Sequence, residues 1–193
     1  MNRKAFTLWE IVGILLVLVV VAALLFPIFA RVNPTPKRHQ CLSHLKQIGL
    51  GFMQYAQDYN ERFPPISHGE NGWADLLEPY LKSRQLFVCP NGEAAPDERR
   101  SDYFMNARLS RFAMEKLTQS ASTILGGDGQ DNGATNSHLI EPLISQTTDK
   151  TAPARRHLDG ANYLFADGHV KWMKPDGVTL EKPKGNNYTF LPR

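Results

Sequence analysis

The sequence has little of what several protein classes depend on. Among its 193 residues only 2 are cysteines, 14 are glycines and 13 are prolines, which excludes a disulfide-dense, a collagen-like and a low-complexity protein. The net charge is only +3, and no block of lysines and arginines stands out, so nucleic acid is not an expected partner. No internal repeat is visible, which argues against a solenoid. These absences leave an ordinary folded domain as the main body of the chain.

Charge is also missing from one long segment. None of the 22 basic and 19 acidic residues falls within residues 11–30, a continuous apolar run of 20 residues. As a helix such a run spans roughly 30 Å at about 1.5 Å per residue, which is the thickness of a bilayer core. No small-x-small cleavage site follows it, as a secretory signal would require. We therefore expect an uncleaved, single-pass transmembrane helix over residues 6–32.

The residues before this run carry a family resemblance. The segment RKAFTLWE, residues 3–10, resembles the leader of type IV prepilins and type II secretion pseudopilins. The resemblance implies that a prepilin peptidase removes residues 1–5 by cutting between Ala5 and Phe6, and that the new Phe6 amine is methylated. Ala5 stands where the family usually has glycine. The resemblance also implies that Glu10 pairs with the Phe6 amine of a neighbouring subunit, which would compensate both charges within an apolar helix bundle.

Two prolines separate this helix from the rest of the chain. Pro34 and Pro36 disfavour helix at the residues before them, so we expect a hinge at residues 33–36 and a globular domain at residues 37–193. Apolar residues then recur every three or four positions from Cys41 to Tyr59, which predicts an amphipathic helix packed on a sheet. Shorter patterns predict a helix from Trp73, a strand at residues 86–88, a third helix at residues 109–117 and a strand at residues 122–125.

The C-terminal part contains a second motif. Nine residues separate His157 from Asp167 and Gly168. This H-X9-DG spacing, together with residues 41–64, resembles a bacterial group of prepilin-like proteins that share a domain of unknown function. An Asp-Gly pair is preferred in two-residue type I′ turns, so we expect a β-hairpin with Asp167 and Gly168 at its tip. In that register Phe165 faces Val170, and Tyr163 faces Trp172.

Two interpretations of the motif remain open. The first gives His157 a structural role, hydrogen-bonded to the hairpin backbone. The second makes His157, Asp159, Asp167 and His169 metal ligands or an acid–base cluster. No nucleophile motif accompanies these residues, so no enzymatic activity is predicted.

The cysteines and one glycine-rich loop are further candidates. Cys41 and Cys89 either form a disulfide in an exported domain or remain two buried thiols. The loop at residues 126–133 offers Asp128 and Asp131 as weak calcium ligands. It is not an EF-hand, because Leu139 stands at the position of the closing glutamate. A plain turn-rich loop is the alternative, and no other cofactor is predicted.

Together these patterns predict an α+β, pilin-like protein whose long N-terminal transmembrane helix, interrupted near residues 33–36, packs on an antiparallel sheet. The resemblance implies a structural subunit of a type IV pilus or type II secretion pseudopilus-like filament. Its partners would be the prepilin peptidase, other subunits and the lipid bilayer. It would lie in the bacterial inner membrane with an extracytoplasmic head, and in a periplasmic or cell-surface filament after assembly. The alternative is a membrane-anchored extracytoplasmic receptor that does not polymerise.

Overall fold

The computed structural model describes residues 8–30, 35–90, 99–129, 134–139, 155–179 and 188–192. The chain divides into two compact units, Met1–Pro34 and Thr35–Arg193. The first unit contains helix α1, Leu8–Ala30, which includes the whole charge-free run at residues 11–30 and has Glu10 in its first turn. The second unit contains two further helices and the sheets, so the α+β composition is present in this unit.

The expected transmembrane helix is a point at which the predicted fold is wrong. Within the described parts of the chain, no helix combines the length and the apolar character needed to cross a membrane. The described side chains of α1 are those of residues 8–23. Over the residues that the structure describes, the fold is α+β with three α-helices.

Part of the segment expected to be a hinge, residues 33–36, is helical. Helix α2 runs over Thr35–Asp58, so Thr35 and Pro36 are already helical. Proline is tolerated there because the first turn of a helix has no intrahelical partner for its backbone N–H groups. Residues 31–34 lie outside the described residues.

The apolar stripe of α2 is confirmed as a buried face. Cys41, Leu45, Ile48 and Phe52 are at most 1% exposed, whereas Tyr59, beyond the end of the helix, is 52% exposed. This face packs on strand β6 of the central sheet, Ala161–Phe165, and on helix α3, Trp73–Leu81. The short antiparallel strands β1, Ser67–His68, and β2, Asn71–Gly72, precede α3.

Helix α3 confirms the prediction of a helix from Trp73, but two other predicted elements are wrong. The expected strand at residues 86–88 is replaced by a 3₁₀ turn at Arg84–Phe87. The expected third helix is two separate 3₁₀ turns, Ala107–Leu109 and Met114–Lys116. Arg111 lies between them with a φ of 57°, a left-handed conformation that interrupts a right-handed helix.

The central sheet has five strands in the order β5-β3-β4-β6-β7. The strands not yet defined are β3, Tyr103–Asn106, β4, Ile124–Asp128, β5, His138–Leu139, and β7, Val170–Met173. Strand β4 bears out the strand expected near residues 122–125, shifted towards its C-terminal side. Strand β3 pairs in parallel with β5, whereas the other neighbours are antiparallel, so the expected antiparallel sheet is in fact mixed. Two short parallel strands, β8, Val178–Thr179, and β9, Tyr188–Thr189, form a separate ladder.

Strand β6 is buried along its whole length because both faces of the sheet are covered. Leu164 belongs to the core beneath α2. Tyr163 and Phe165 belong to a second core with Phe104 and Phe190. Helix α2 thus covers one face of the central sheet. Aromatic side chains from the strands and the C-terminal segment cover the opposite face.

The β6–β7 hairpin forms, but in a register that differs from the predicted one. Leu164 pairs with Val170 and Asn162 pairs with Trp172. The Gly168 N–H donates to the Phe165 carbonyl oxygen at 2.9 Å, and Gly168 has a φ of 89°, whereas Asp167 is not left-handed. The turn is therefore not type I′, which needs two left-handed central residues. This register is shifted by one residue from the predicted one. Val170 and Trp172 therefore lie on the same face of the sheet as Leu164 and Asn162, and not on the face of Phe165 and Tyr163 as predicted.

Candidate functional site

Helix α1 presents an apolar surface. All of its described side chains, at residues 8–23, are exposed, with Trp9 at 82% and Val19 at 66%. Continuous apolar surfaces of this kind mark interaction sites in proteins. Glu10 lies in the first turn, where the helix dipole favours a negative charge. Ala5 and Phe6, the predicted cleavage and methylation residues, lie outside the described residues.

The two cysteines form a disulfide inside the second unit. Cys41 lies on α2 and Cys89 follows the 3₁₀ turn at Arg84–Phe87, with 5.5 Å between their Cα atoms. Both are at most 1% exposed. The Cys89 N–H donates to Asp102 Oδ2 at 2.9 Å, so the backbone around the disulfide is fixed by a second buried residue. The disulfide joins α2 to the segment after this 3₁₀ turn and closes a loop of 48 residues.

His157 and Asp128 lie beside this disulfide. The His157 Nε2 atom is 3.5 Å from Cys89 Sγ and 3.5 Å from Asp128 Oδ2. Asp128 ends strand β4 and is fully buried. Its Oδ2 accepts hydrogen bonds from the Asn162 backbone N–H at 2.7 Å and from Asn162 Nδ2 at 2.8 Å. We call these four residues, Cys41, Cys89, Asp128 and His157, the buried cluster.

Burial controls protonation in the buried cluster. It raises the pKa of Asp128 to about 7, although the hydrogen bonds from Asn162 and the charge of Arg156 act in the opposite direction. Burial lowers the pKa of His157 to about 4, and the positive charges of Arg156 and Arg38 lower it further. Between these two values both side chains are neutral. The 3.5 Å approach of Asp128 and His157 is therefore a contact between uncharged groups in this range of pH.

The backbone of His157 is tied to the hairpin. Trp172 Nε1 donates to the His157 carbonyl oxygen at 2.7 Å, and His157 N–H donates to the Gly160 carbonyl oxygen at 2.9 Å. Leu158 and Asp159 take left-handed conformations between them, with φ of 55° and 61°. The side chain of His157 is thereby directed at the disulfide.

The H-X9-DG motif does not converge on one site. Asp167 and Gly168 lie in the turn at the far end of strand β6 from His157. The exposed Asp167 accepts hydrogen bonds through Oδ1 from the His169 backbone N–H at 3.1 Å and from His169 Nδ1 at 2.6 Å. Asp159 is exposed and forms an ion pair with Arg155. Within the described residues, the four polar residues of the motif region therefore do not meet at one site, and only Asp167 and His169 contact each other.

Only one of the two calcium candidates is among the described residues. Asp128 is turned into the interior towards Asn162 and His157, and Asp131 lies outside the described residues. The sequence did not indicate that Asn162 and Asp102 belong near Asp128. One signal was present, since Asn162 is a polar residue within the apolar strand ANYLF, and a buried polar residue requires a partner.

A surface pocket of about 500 Å³ lies at the C-terminal end of α2. Tyr55 and Tyr59 line it and stack on each other with 4.2 Å between ring centroids. Arg62 and Arg111 also line it, and Arg62 Nη1 donates to the Arg111 carbonyl oxygen at 3.1 Å. Two lining residues, Asn60 and Arg111, have left-handed backbones, with φ of 54° and 57°. The helical pattern of the sequence places Tyr55 and Tyr59 on a core stripe, and nothing in the sequence predicts this pocket.

Comparison with known proteins found no matching family model, no matching curated protein and no matching solved structure. The resemblance to prepilin-like proteins therefore stays a prediction that rests on residues 3–10, 41–64 and 157–168.

Proposed function

We propose that this protein is a prepilin-like structural subunit of an extracytoplasmic filament, of the type IV pilus or type II secretion pseudopilus kind. The observation that carries the proposal is α1, an apolar helix whose described side chains are all exposed. An apolar surface of this length is stable only when it is covered. The α1 helices of further copies are apolar along the same length, so they cover one another when the helices bundle.

Glu10 supports a bundle of identical subunits. It is the only acidic residue in the first turn of α1. A carboxylate enclosed in an apolar bundle requires a cation, since an unpaired buried charge costs several kcal/mol. Cleavage before Phe6 by a prepilin peptidase would create an α-amino group at the end of the neighbouring helix. Glu10 would then pair with this amine, methylated at Phe6, and the pairing would set the offset between adjacent subunits.

The disulfide supports export of the second unit. Disulfides form and persist outside the reducing cytoplasm, and Cys41 and Cys89 are joined in the interior of this unit. The second unit would form the outer surface of the filament, with its fold fixed before assembly.

The test is the substitution Glu10→Val in the cells that produce the protein. We expect loss of filaments in electron micrographs while the amount of the protein stays the same, because the apolar helix is retained and only the charge pairing is removed. Glu70→Val, at an exposed residue beside strand β2, is the matched control and should leave filaments intact. Normal filaments from Glu10→Val would contradict the proposal.

A second candidate function is an extracytoplasmic binding head that does not polymerise. The pocket beside Tyr59 favours it, because stacked tyrosines next to arginines suit sugars that carry carboxylates. Binding of acidic oligosaccharides that is lost in Tyr59→Ala, in a protein that forms no filaments, would support this candidate. Filaments with no oligosaccharide binding would exclude it.

A further inference from the structure

The four side chains of the buried cluster have the geometry of a metal site. Their ligand atoms, two Sγ, one imidazole nitrogen and one carboxylate oxygen, all lie within 4.8 Å of one another. All four residues are buried. They come from helix α2, the segment after a 3₁₀ turn, the end of β4 and the loop before β6, so four separate parts of the fold converge on this point.

We propose that the reduced form of this chain binds one Zn²⁺ through Cys41 Sγ, Cys89 Sγ, His157 Nε2 and a carboxylate oxygen of Asp128. Zinc prefers tetrahedral sites of sulfur and nitrogen ligands and also accepts a carboxylate. The site is independent of the filament proposal, because it uses no residue of α1. It also differs from the calcium loop considered from the sequence, since calcium takes six or more oxygen ligands.

The disulfide and the metal are alternatives at the same sulfurs. A dithiol reductant supplies two electrons and two protons, the bond between the two cysteine sulfurs breaks, and the reductant closes its own disulfide. Zn²⁺ then displaces the two thiol protons, and the proton of the Asp128 carboxyl group where it is present, into solvent. The oxidation state of zinc does not change. A newly made chain whose cysteines are not yet oxidised needs no reductant.

The surroundings of the cluster fit a bound cation. Asp128 Oδ1 is buried and has no hydrogen-bond partner among the described residues, whereas Oδ2 is held by Asn162. Hydrogen bonds of this kind orient a ligating carboxylate. The Nε2 atom of His157 faces the other ligands directly, at 3.5 Å from Cys89 Sγ and 3.5 Å from Asp128 Oδ2.

Charge and distance are also compatible. Two thiolates and one carboxylate around Zn²⁺ leave one net negative charge. Arg156 and Arg38 act on His157 with positive charge, so cations lie close enough to offset it. With Zn–S bonds of about 2.3 Å in a tetrahedron, the sulfurs would stand about 3.8 Å apart. The cysteine Cα atoms, 5.5 Å apart in the disulfide, need only a side-chain rotation and a small backbone shift to reach this separation.

The experiment uses the full chain, purified in mild detergent and reduced, with Zn²⁺ and Co²⁺ as the probes. Native mass spectrometry should find one zinc in the reduced chain and none in the oxidised chain. Co²⁺ should give a thiolate-to-cobalt charge-transfer band of the intensity of two thiolates. Asp128→Asn and His157→Gln should each weaken zinc binding at least about tenfold. Asp167→Asn and His169→Gln, at the exposed pair in the hairpin turn, are matched controls and should bind zinc as the wild type does.

Two results would overturn the proposal. One is a reduced wild-type chain that gives no sulfur-to-cobalt band, whether or not the chain stays folded. The other is zinc binding that persists unchanged in His157→Gln, which would place the metal elsewhere. Melting curves of the oxidised variants show whether each is folded, and the wild-type cobalt spectrum decides the matter without any variant. Neither result bears on filament formation, so the two proposals fail separately.

Discussion

Removal of the disulfide should cost the second unit much of its stability. The perturbation is the double substitution Cys41→Ala and Cys89→Ala. The disulfide closes a loop of 48 residues. In the chain-entropy model, a loop of this length restricts the unfolded chain by about 14 cal/mol/K, which is about 4 kcal/mol at 25 °C. Domains are typically stable by about 5–15 kcal/mol, so the variant should lose a large share of its free energy of unfolding.

Thermal unfolding followed by circular dichroism measures this loss. At about 2–4 °C per kcal/mol for a domain of this size, the midpoint should fall by about 8–16 °C. The same fall should follow from adding a reductant to the wild-type protein, and the reductant should have no effect on the double variant. A variant that melts within about 2 °C of the oxidised wild type would refute the reasoning. It would mean that Cys41 and Cys89 do not restrict the unfolded chain.

Three further predictions concern the buried cluster and the loop before β6. The pKa of Asp128 is about 7 in the folded chain and about 3.9 in the unfolded chain. Between these values the folded chain keeps a proton that the unfolded chain loses. The contribution of Asp128 to the free energy of unfolding therefore falls as the pH rises from about 4 to about 7. The lowered pKa of His157, about 4, gives the opposite slope up to about pH 6.5. Urea titrations between pH 4.5 and 6.5 measure the free energy of unfolding of Asp128→Asn and of the wild type. The value for Asp128→Asn should rise with pH relative to the wild type, by up to about 1.4 kcal/mol per pH unit. The same pH dependence in both proteins would contradict this prediction. His157→Ala should lower the melting temperature and leave the falling slope, whereas unchanged melting would argue against the structural role of its side chain. Gly160→Ala should destabilise the fold by more than about 1 kcal/mol, because the new Cβ would lie 2.6 Å from the Met173 carbonyl oxygen. Gly177→Ala is the control, since a Cβ has room there. Equal melting temperatures of the two variants would contradict the close packing at Gly160.

Two helices of the second unit, α2 and α3, were predicted in the right place from the sequence. The stripe from Cys41 to Tyr55 on α2 and the pattern from Trp73 on α3 repeat with the helical period, and this period is set by neighbours along the chain. The membrane helix was predicted by the same kind of count, from hydropathy and length alone. Within the described residues no helix is both long and apolar enough to cross a membrane, so this expectation is corrected.

The hairpin shows why a turn dipeptide does not fix a register. Asp167 and Gly168 suit a type I′ turn, but they equally suit a turn in which Gly168 alone is left-handed, as the structure has it. The choice depends on which side chains of β6 reach the core beneath α2. Leu164 does so and pairs with Val170. That preference comes from tertiary packing, which the local sequence does not contain.

The buried cluster could be predicted only in part. Each of Cys41, Cys89, Asp128 and His157 was a candidate by its chemistry. Their meeting depends on contacts over long sequence separations, such as the separation of 68 positions from Cys89 to His157. A single sequence carries no periodic signal at such distances. The pocket beside Tyr59 was missed for a related reason, because α2 ends at Asp58, before the stripe does.

The most direct test of the central claim is the mass of the N-terminal peptide of the protein taken from the cells that make it. The filament proposal requires cleavage between Ala5 and Phe6 and methylation of the new amine. It predicts a mature terminus at N-methylated Phe6 in the chains recovered from filaments. Chains that retain Met1 throughout the population would contradict the proposal and leave the extracytoplasmic binding head as the better account.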